Sequence, residues 1–400
     1  MTTFTPTSAS ETLDAVAWAV SEESPLEILG HGSKRGIGRP AQTEHAIDLS
    51  RLTGVTLYEP EELVLSARAG TPLAEIEALL ADNRQQLAFE PMDYGPLLGN
   101  APGRGTIGGA LAANLSGPRR LKSGAARDHV LGIHAVSGRG EAFKSGGRVV
   151  KNVTGYDLSK GMAGSWGTLA VVTDVTFKVL PAAETEKTLV VRGLDDGPAA
   201  FAMAAAMGSS AEISSAAHLP PSVTGRVLDG ALKGQASTLL RLEGFGPSVD
   251  YRLDTLTKLL AGQGALETLD SGQSRTLWRE IRDCMPFADG TNRPVWRISM
   301  APSEGHKMVA ELRLHAGADV FYDWQGGLVW ARMEADPEAE GLRALIAHFG
   351  GGHATLIRAS APVRAAAQVF QPQPGALGAL ARRLKDQFDP KGILNPGRIG

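Results

Sequence analysis

The chain of 400 residues holds one cysteine, Cys284. An internal disulfide, a thiolate zinc site and a cysteine-held iron–sulfur cluster within this chain are thereby excluded, since each needs two or more thiolates. No apolar run reaches the length of a membrane-spanning helix. The opening residues, MTTFTPTSASETLDAV, lack a basic region followed by an apolar stretch and do not read as a secretory signal. Long basic runs are missing too. Lys and Arg number 40 against 43 Asp and Glu, a net charge of −3, which argues against nucleic acid as a partner. These absences fit a reducing, cytoplasmic setting and leave open peripheral attachment at the inner membrane through a partner. No P-loop, HExxH or EF-hand pattern occurs, and the nine histidines show no ligand spacing, so no metal is expected.

Glycine, by contrast, is abundant: 48 residues, clustered before Pro181 and not periodic. Apolar residues at 43% and charged residues at 21% are ordinary globular values, and the length allows two or three domains with real cores. The segment Ser8–Glu11 reads as a capping box that starts a helix with Leu13, Val16, Ala17 and Val20 on one face. A strand, PLEILG, leads into the glycine loop Gly30–Gly38. Short strands follow around Val55–Tyr58 and Leu63–Ala69. Thr71 is read as the cap of a helix with Pro72 at its first position and a stripe of Leu73, Ile76, Leu79 and Leu80. The loop Phe89–Gly105 is too long for a mere connector. After Pro181, amphipathic helices alternate with strands, among them Leu253/Leu256/Leu259/Leu260 and Leu277/Trp278/Ile281. DVFYDWQGGLVWARME reads as two strands about a turn. This is α+β texture, one antiparallel sheet with helices on one face, and no internal repeat is visible. The last segment, FDPKGILNPGRIG, resumes the style of the first half.

The loop GHGSKRGIG follows a strand, and its glycines let successive N–H groups face one concavity suited to a phosphate, with Lys34 and Arg35 adding charge; a surface turn is the alternative. GRGTIGG contains a formal G-x-G-x-x-G, but loop precedes it and no acidic residue closes a following strand, so a Rossmann fingerprint is rejected. MAGSWGT approaches a serine-hydrolase elbow, yet Ala163 replaces the first glycine and a strand follows Ser165. His31 leaves open a covalent flavin link or a phosphate contact. His353 is a catalytic base or a satisfied strand-end histidine. Arg297 and Arg358, both at strand positions, hold a substrate carboxylate or form ordinary ion pairs. Trp324, Trp330 and Cys284 read as core.

Four segments in order, LGHGSKRGIG, TIGGALAANLSG, KNVTGYDL…GSWGTLAVVTD and FDPKGILNPGRI, resemble the FAD-binding domain of the vanillyl-alcohol oxidase/p-cresol methylhydroxylase (PCMH) type. With PVWRISMAP and DWQGGLVWAR, the chain is similar to the FAD-binding subunits of glycolate oxidases. The resemblance implies a PCMH-type two-subdomain FAD-binding domain over residues 1–181, an α+β cap domain over 182–360, and a C-terminal segment 361–400 returning to the FAD domain. It implies that Gly30, His31, Gly32, Ser33 and Lys34 hold the FAD diphosphate. Thr106, Ile107, Gly108, Gly109, Ser116 and Gly117 would lie at the flavin, and Val172 near the adenine. Asp157 would cap a short helix. The implied reaction is oxidation of a 2-hydroxy acid, glycolate, to glyoxylate. The implied partners are a catalytic D-type flavoprotein subunit and an F-type subunit carrying iron–sulfur clusters. The histidine-bearing H-A-G-D-G-N segment of the D-type subunit is absent here. That leaves open an assembly role with a structural flavin, or a self-sufficient oxidase of another hydroxy acid or alcohol.

Overall fold

The computed structural model describes residues 2–149 and 155–399. Of the KNVTGYDL segment, residues 151–154 lie outside the described residues. Among the described residues no helix is long and apolar enough to cross a membrane, and no group of three or more His, Cys, Asp or Glu is arranged to hold a metal.

Two small sheets build the first half. Thr2–Phe4, His45–Asp48 and Leu26–Leu29 form a parallel three-stranded sheet with His45–Asp48 in the middle. Val55–Glu59, Val64–Arg68, Ala170–Lys178, Val130–Ser137 and Ala142–Gly146 form an antiparallel sheet in that spatial order. The helix Ala9–Ser21 starts where expected, with the Ser8 hydroxyl accepting the Glu11 N–H. The Glu11 carboxylate, however, turns back to the Thr7 N–H at 2.7 Å, not to Ser8. Its buried face is Thr12, Ala15, Val16 and Ala19, and the expected Ala17 is exposed. Small side chains on that face let the helix lie close to Val136 and Val171 of the sheet. Thr71 does not cap the helix Leu73–Asp82. Its hydroxyl donates to the Arg68 carbonyl and accepts the Gly54 N–H, fixing the turn that precedes Pro72. The long loop 89–105 is ordered by Asp93, whose carboxylate accepts the Gly95 and Gly103 N–H groups.

Residues 185–358 form one eight-stranded antiparallel sheet. Here the structure corrects the expectation of no repeat. Thr185–Arg192, Asp196–Met207, Ser215–Leu219, Ser237–Gly244, Gly246–Leu259 and Ala265–Leu269 make a βαββαβ unit with strand order 4-1-3-2. Val295–Met300, Gly305–His315, Ala318–Asp323, Leu328–Met333, Ala339–His348 and Gly352–Arg358 repeat it. The units join edge to edge through their second strands, with a single register pair, His218 with Tyr322. Asp196 fastens this seam: it accepts the Tyr322 hydroxyl at 2.6 Å and an Arg313 N–H at 2.7 Å. The repeat is invisible in sequence because the two units share topology, not residue pattern. Helices 196–207, 246–259, 305–315 and 339–348 cover one face. The other face packs on the helix Ser271–Arg282 and on the first half, in a core running from Phe89 and Ile107 to Trp278 and Trp330.

The two halves are also tied by buried charge. Both Glu90 oxygens accept from Arg241 at 3.0 Å, and Glu90 accepts the Arg119 backbone N–H at 2.8 Å. Arg119 Nε in turn donates to Glu243 at 2.9 Å. Arg241 also stacks on Trp278, 4.9 Å from the ring centroid. Val369 packs with the second unit, whereas Ile393 and Leu394 pack with Leu26 and Ile47 of the first sheet.

Candidate functional site

A cleft of about 770 Å³, open on one side, lies between the glycine loop, the helix Ile107–Ala112, the turn 165–167 and the chain's last residues. The strand Leu26–Leu29 delivers the loop. Gly32, at φ +73°, has no atom within 4 Å of where a Cβ would stand. At Gly30 a Cβ would meet the Thr106 hydroxyl at 2.9 Å, so loop and helix approach through bare backbone. The Thr106 hydroxyl caps the helix by accepting the Gly109 N–H. At Gly108 a Cβ would lie 2.7 Å from Ala69 Cβ and 2.8 Å from its carbonyl oxygen, which pins the helix against the five-stranded sheet. Gly108→Ala is therefore expected to displace the helix. It should destabilise the fold by about 1–3 kcal/mol and lower FAD occupancy, read by denaturant unfolding and by the flavin-to-protein absorbance ratio.

Of the twelve residues expected at the cofactor, Gly30, His31, Gly32, Ser33, Lys34, Thr106, Gly108, Gly109 and Val172 line this cleft. Ile107 instead points into the core. Ser116 and Gly117 do not line it. Gly117 lies at the junction of the halves: its N–H donates to the Phe89 carbonyl and its carbonyl accepts the Trp324 indole N–H at 2.9 Å. Arg35 lines the cleft, but its guanidinium is held bidentately by the buried Glu27 carboxylate. Asp157 caps the helix Leu158–Met162 by accepting the Lys160 N–H. Sequence reasoning did not place Ser165, Trp166, Asn395 or Arg398 at the cofactor, yet all four line the cleft. The available signals were the GSWGT turn and the Gly-Pro-rich tail, each assigned to this half as a segment but not residue by residue.

The cleft fits a dinucleotide. His31 Nε2 is buried without a hydrogen-bond partner among the described residues. Among the described residues Lys34 Nζ bonds only the Ser33 hydroxyl, at 3.3 Å, and would stand 3.1 Å from a Cβ at Gly109. Burial pushes the Lys34 ammonium down to about 8, Asp93 offsetting part of this. A donor-rich cradle that side chains would fill, with unspent polar groups aimed into it, matches an anionic ligand with an extended backbone.

The three expected substrate-site residues are not brought together. His353 is exposed on the outermost strand of the eight-stranded sheet, opposite Ser299. Arg358 is buried, and its Nε and Nη1 bond the Arg293, Phe287 and Leu97 carbonyls and Asp289. It fastens the loop 287–293, while its Nη2 makes one long contact, 3.4 Å to the Thr291 hydroxyl. Arg297 differs: it has no hydrogen-bond or ion-pair partner among the described residues. Its guanidinium stacks on Trp324, 4.8 Å from the ring centroid. Trp324 and Gln325 hold positive φ, 52° and 62°, in the turn that brings the indole to Gly117. Trp324, expected as core, is indeed buried, yet its ring is also the platform for Arg297. Around this pair are Tyr94, whose phenol burial pushes upward, and Asp323, whose carboxyl burial pushes up to about 7.

The FAD binding domain family matches residues 2–146. Glycolate oxidase subunit GlcE of Escherichia coli (strain K12) is 35% identical over 390 residues, 97% of this chain and 96% of that protein. Glycolate oxidase subunit GlcD of Bacillus subtilis (strain 168) is 45% identical over 85 residues, 21% of this chain and 18% of that protein. Among solved structures, p-cresol methylhydroxylase with substrate bound superposes with a TM-score of 0.74 at 16% identity, covering all of this chain and 88% of that one, which shows the fold.

Proposed function

The chain belongs to the PCMH-type FAD-linked oxidoreductase family that includes GlcE, and we propose that it is the FAD-binding subunit of a glycolate-oxidising complex. FAD is its cofactor. The proposed reaction turns glycolate, a 2-hydroxy acid, into glyoxylate. The electrons then leave through partner subunits, a D-type flavoprotein and an iron–sulfur protein, since this chain's one cysteine is buried and holds no cluster.

The observation that carries the reading is the unpaired Arg297. The half-buried guanidinium of Arg297 has no acceptor among the described residues and is free to meet a ligand, and a substrate carboxylate would supply the acceptor bidentately. Trp324 holds Arg297 in place and is itself tied to the Gly117 carbonyl at the junction of the halves. When bound, FAD supplies the two-electron acceptor. Arg297 would orient the acid by its carboxylate. Asp323, titrating at about 7 through burial, is the carboxyl beside Arg297 suited to take the hydroxyl proton. His31, Lys34 and the glycine loop would hold the diphosphate end.

The test is anaerobic titration of the flavin spectrum of the isolated chain with glycolate, repeated with the D-type subunit added. Bleaching of the isolated chain, rising with pH through about 7, supports the proposal. A second reading is favoured by the exposure of His353 and the tie of Arg358 to the loop 287–293: this chain's flavin is structural, and the D-type partner oxidises the substrate. No bleaching alone and bleaching only of the partner's flavin in the mixture would select it. Bleaching by a different 2-hydroxy acid but not glycolate would select a self-sufficient oxidase of that acid.

A further inference from the structure

We propose that Arg398, carried by the C-terminal tail, binds the diphosphate of FAD, forming with Lys34 a two-cation clamp. The inference rests on FAD as the family's cofactor and adds a binding residue that neither the sequence nor the relatives assign.

The tail is built to deliver this side chain. Asp389 is buried, and its two oxygens accept the Ile393 and Leu394 N–H groups at 3.0 and 2.8 Å. The turn so formed lays Leu394 parallel beside Leu26, with the Leu26 N–H on the Ile393 carbonyl at 2.7 Å and the Asn395 N–H on the Leu26 carbonyl at 2.9 Å. The tail thus pairs along the free edge of the strand that enters the glycine loop. Asn395 locks the arrangement. Its side-chain oxygen accepts the Ile28 N–H, and its amide donates to the Trp166 carbonyl, both at 2.8 Å. Three residues on, Arg398 lines the cleft, donates to the Lys34 carbonyl at 2.8 Å, and lies 5.8 Å from the Trp166 ring centroid.

Two cations then face one cavity. Arg398 is 8% exposed, and neither it nor Lys34 forms an ion pair among the described residues. Burial disfavours the charged form of each, and the Arg398 guanidinium disfavours the Lys34 ammonium further, while Asp93 beside Lys34 and Glu27 beside Arg398 offset this only in part. Like charges held together are unfavourable unless a ligand brings a counter-charge. A diphosphate brings charge of the required sign, and an arginine fork with an ammonium is a donor set matched to phosphate oxygens.

The experiment compares wild-type apoprotein with R398Q and R398K, using FAD, ADP and adenosine as probes in calorimetric titrations. Arg398→Gln is expected to weaken FAD and ADP by roughly 10-fold or more and to leave adenosine unchanged. Arg398→Lys should fall between. Wild-type ADP affinity in R398Q would overturn the clamp. An equal loss for adenosine and ADP would also overturn it, since Arg398 would then only shape the loop. Should R398Q fail to fold, R398K decides alone: weaker ADP with unchanged adenosine supports the clamp, and any other pattern rejects it.

Discussion

Arg297→Met is expected to do two opposite things: to stabilise the isolated chain and to abolish its response to 2-hydroxy acids. Methionine matches the aliphatic length and polarisability that pack on Trp324 while removing a charge that has no partner. Taking away a half-buried cation with no partner among the described residues should raise the unfolding free energy by at most about 1 kcal/mol, measured by denaturant unfolding. Loss of a bidentate charge-assisted pair should weaken glycolate or oxalate by about 100-fold, corresponding to about 3 kcal/mol, read as loss of the ligand-induced change in the flavin spectrum. FAD content should be unchanged, because Arg297 does not line the cleft of the glycine loop. A residue serving only structure would lose stability when replaced. A destabilised variant with full ligand response would therefore reject the carboxylate site. Gain of stability with loss of ligand response is the signature of a group kept for function.

The second large effect is expected at the buried charge cluster. Arg241→Met removes a guanidinium that is 2% exposed, and leaves Glu90 with Arg119 as its remaining cation and Glu243 close by. Removing one partner of a buried pair typically costs about 3–5 kcal/mol, and the loss should appear as a lower unfolding midpoint at pH 7. Its pH dependence has a definite sign. Burial alone would push the Glu90 carboxyl up, but Arg119 and Arg241 overcome it and hold Glu90 below its ordinary range. A carboxylate with a depressed folded pKa contributes stability that is present above its unfolded pKa and is lost as pH falls through the folded value. Without Arg241 that depression shrinks. The difference between wild type and variant should therefore be largest near neutrality and shrink below about pH 4.5, the ordinary glutamate value. A gap that stays constant from pH 7 to pH 3 would show that Arg241 acts through its packing on Trp278 rather than through charge.

What could be read from the residues was mostly local. The strand–glycine-loop step at Leu26–Gly38 and the hairpin about Trp324 both follow from short-range turn chemistry, and each lies close to where it was expected. Errors came where distant contacts decide. Thr71 has the right chemistry for a cap, but Gly54, seventeen positions earlier, competes for its hydroxyl. Arg358 and Arg297 occupy adjacent, paired strands and look equivalent in sequence. Only the loop folded over Arg358, bringing the Phe287 carbonyl and Asp289, separates the tied cation from the one without a partner among the described residues.

Residue order alone determined that backbone free of side chains would gather into a ligand cradle, because glycine's tolerance of positive φ and of close approach is a property of each position. It also settled that this chain cannot hold its own cysteine-bound cluster. The tertiary structure alone decided which cations face the ligand, that the second half is a duplicated unit, and that residues 393–398 complete a site begun at residue 26. Those are properties of pairings hundreds of positions apart, and local chemistry carries no information about which of many compatible partners a side chain will meet.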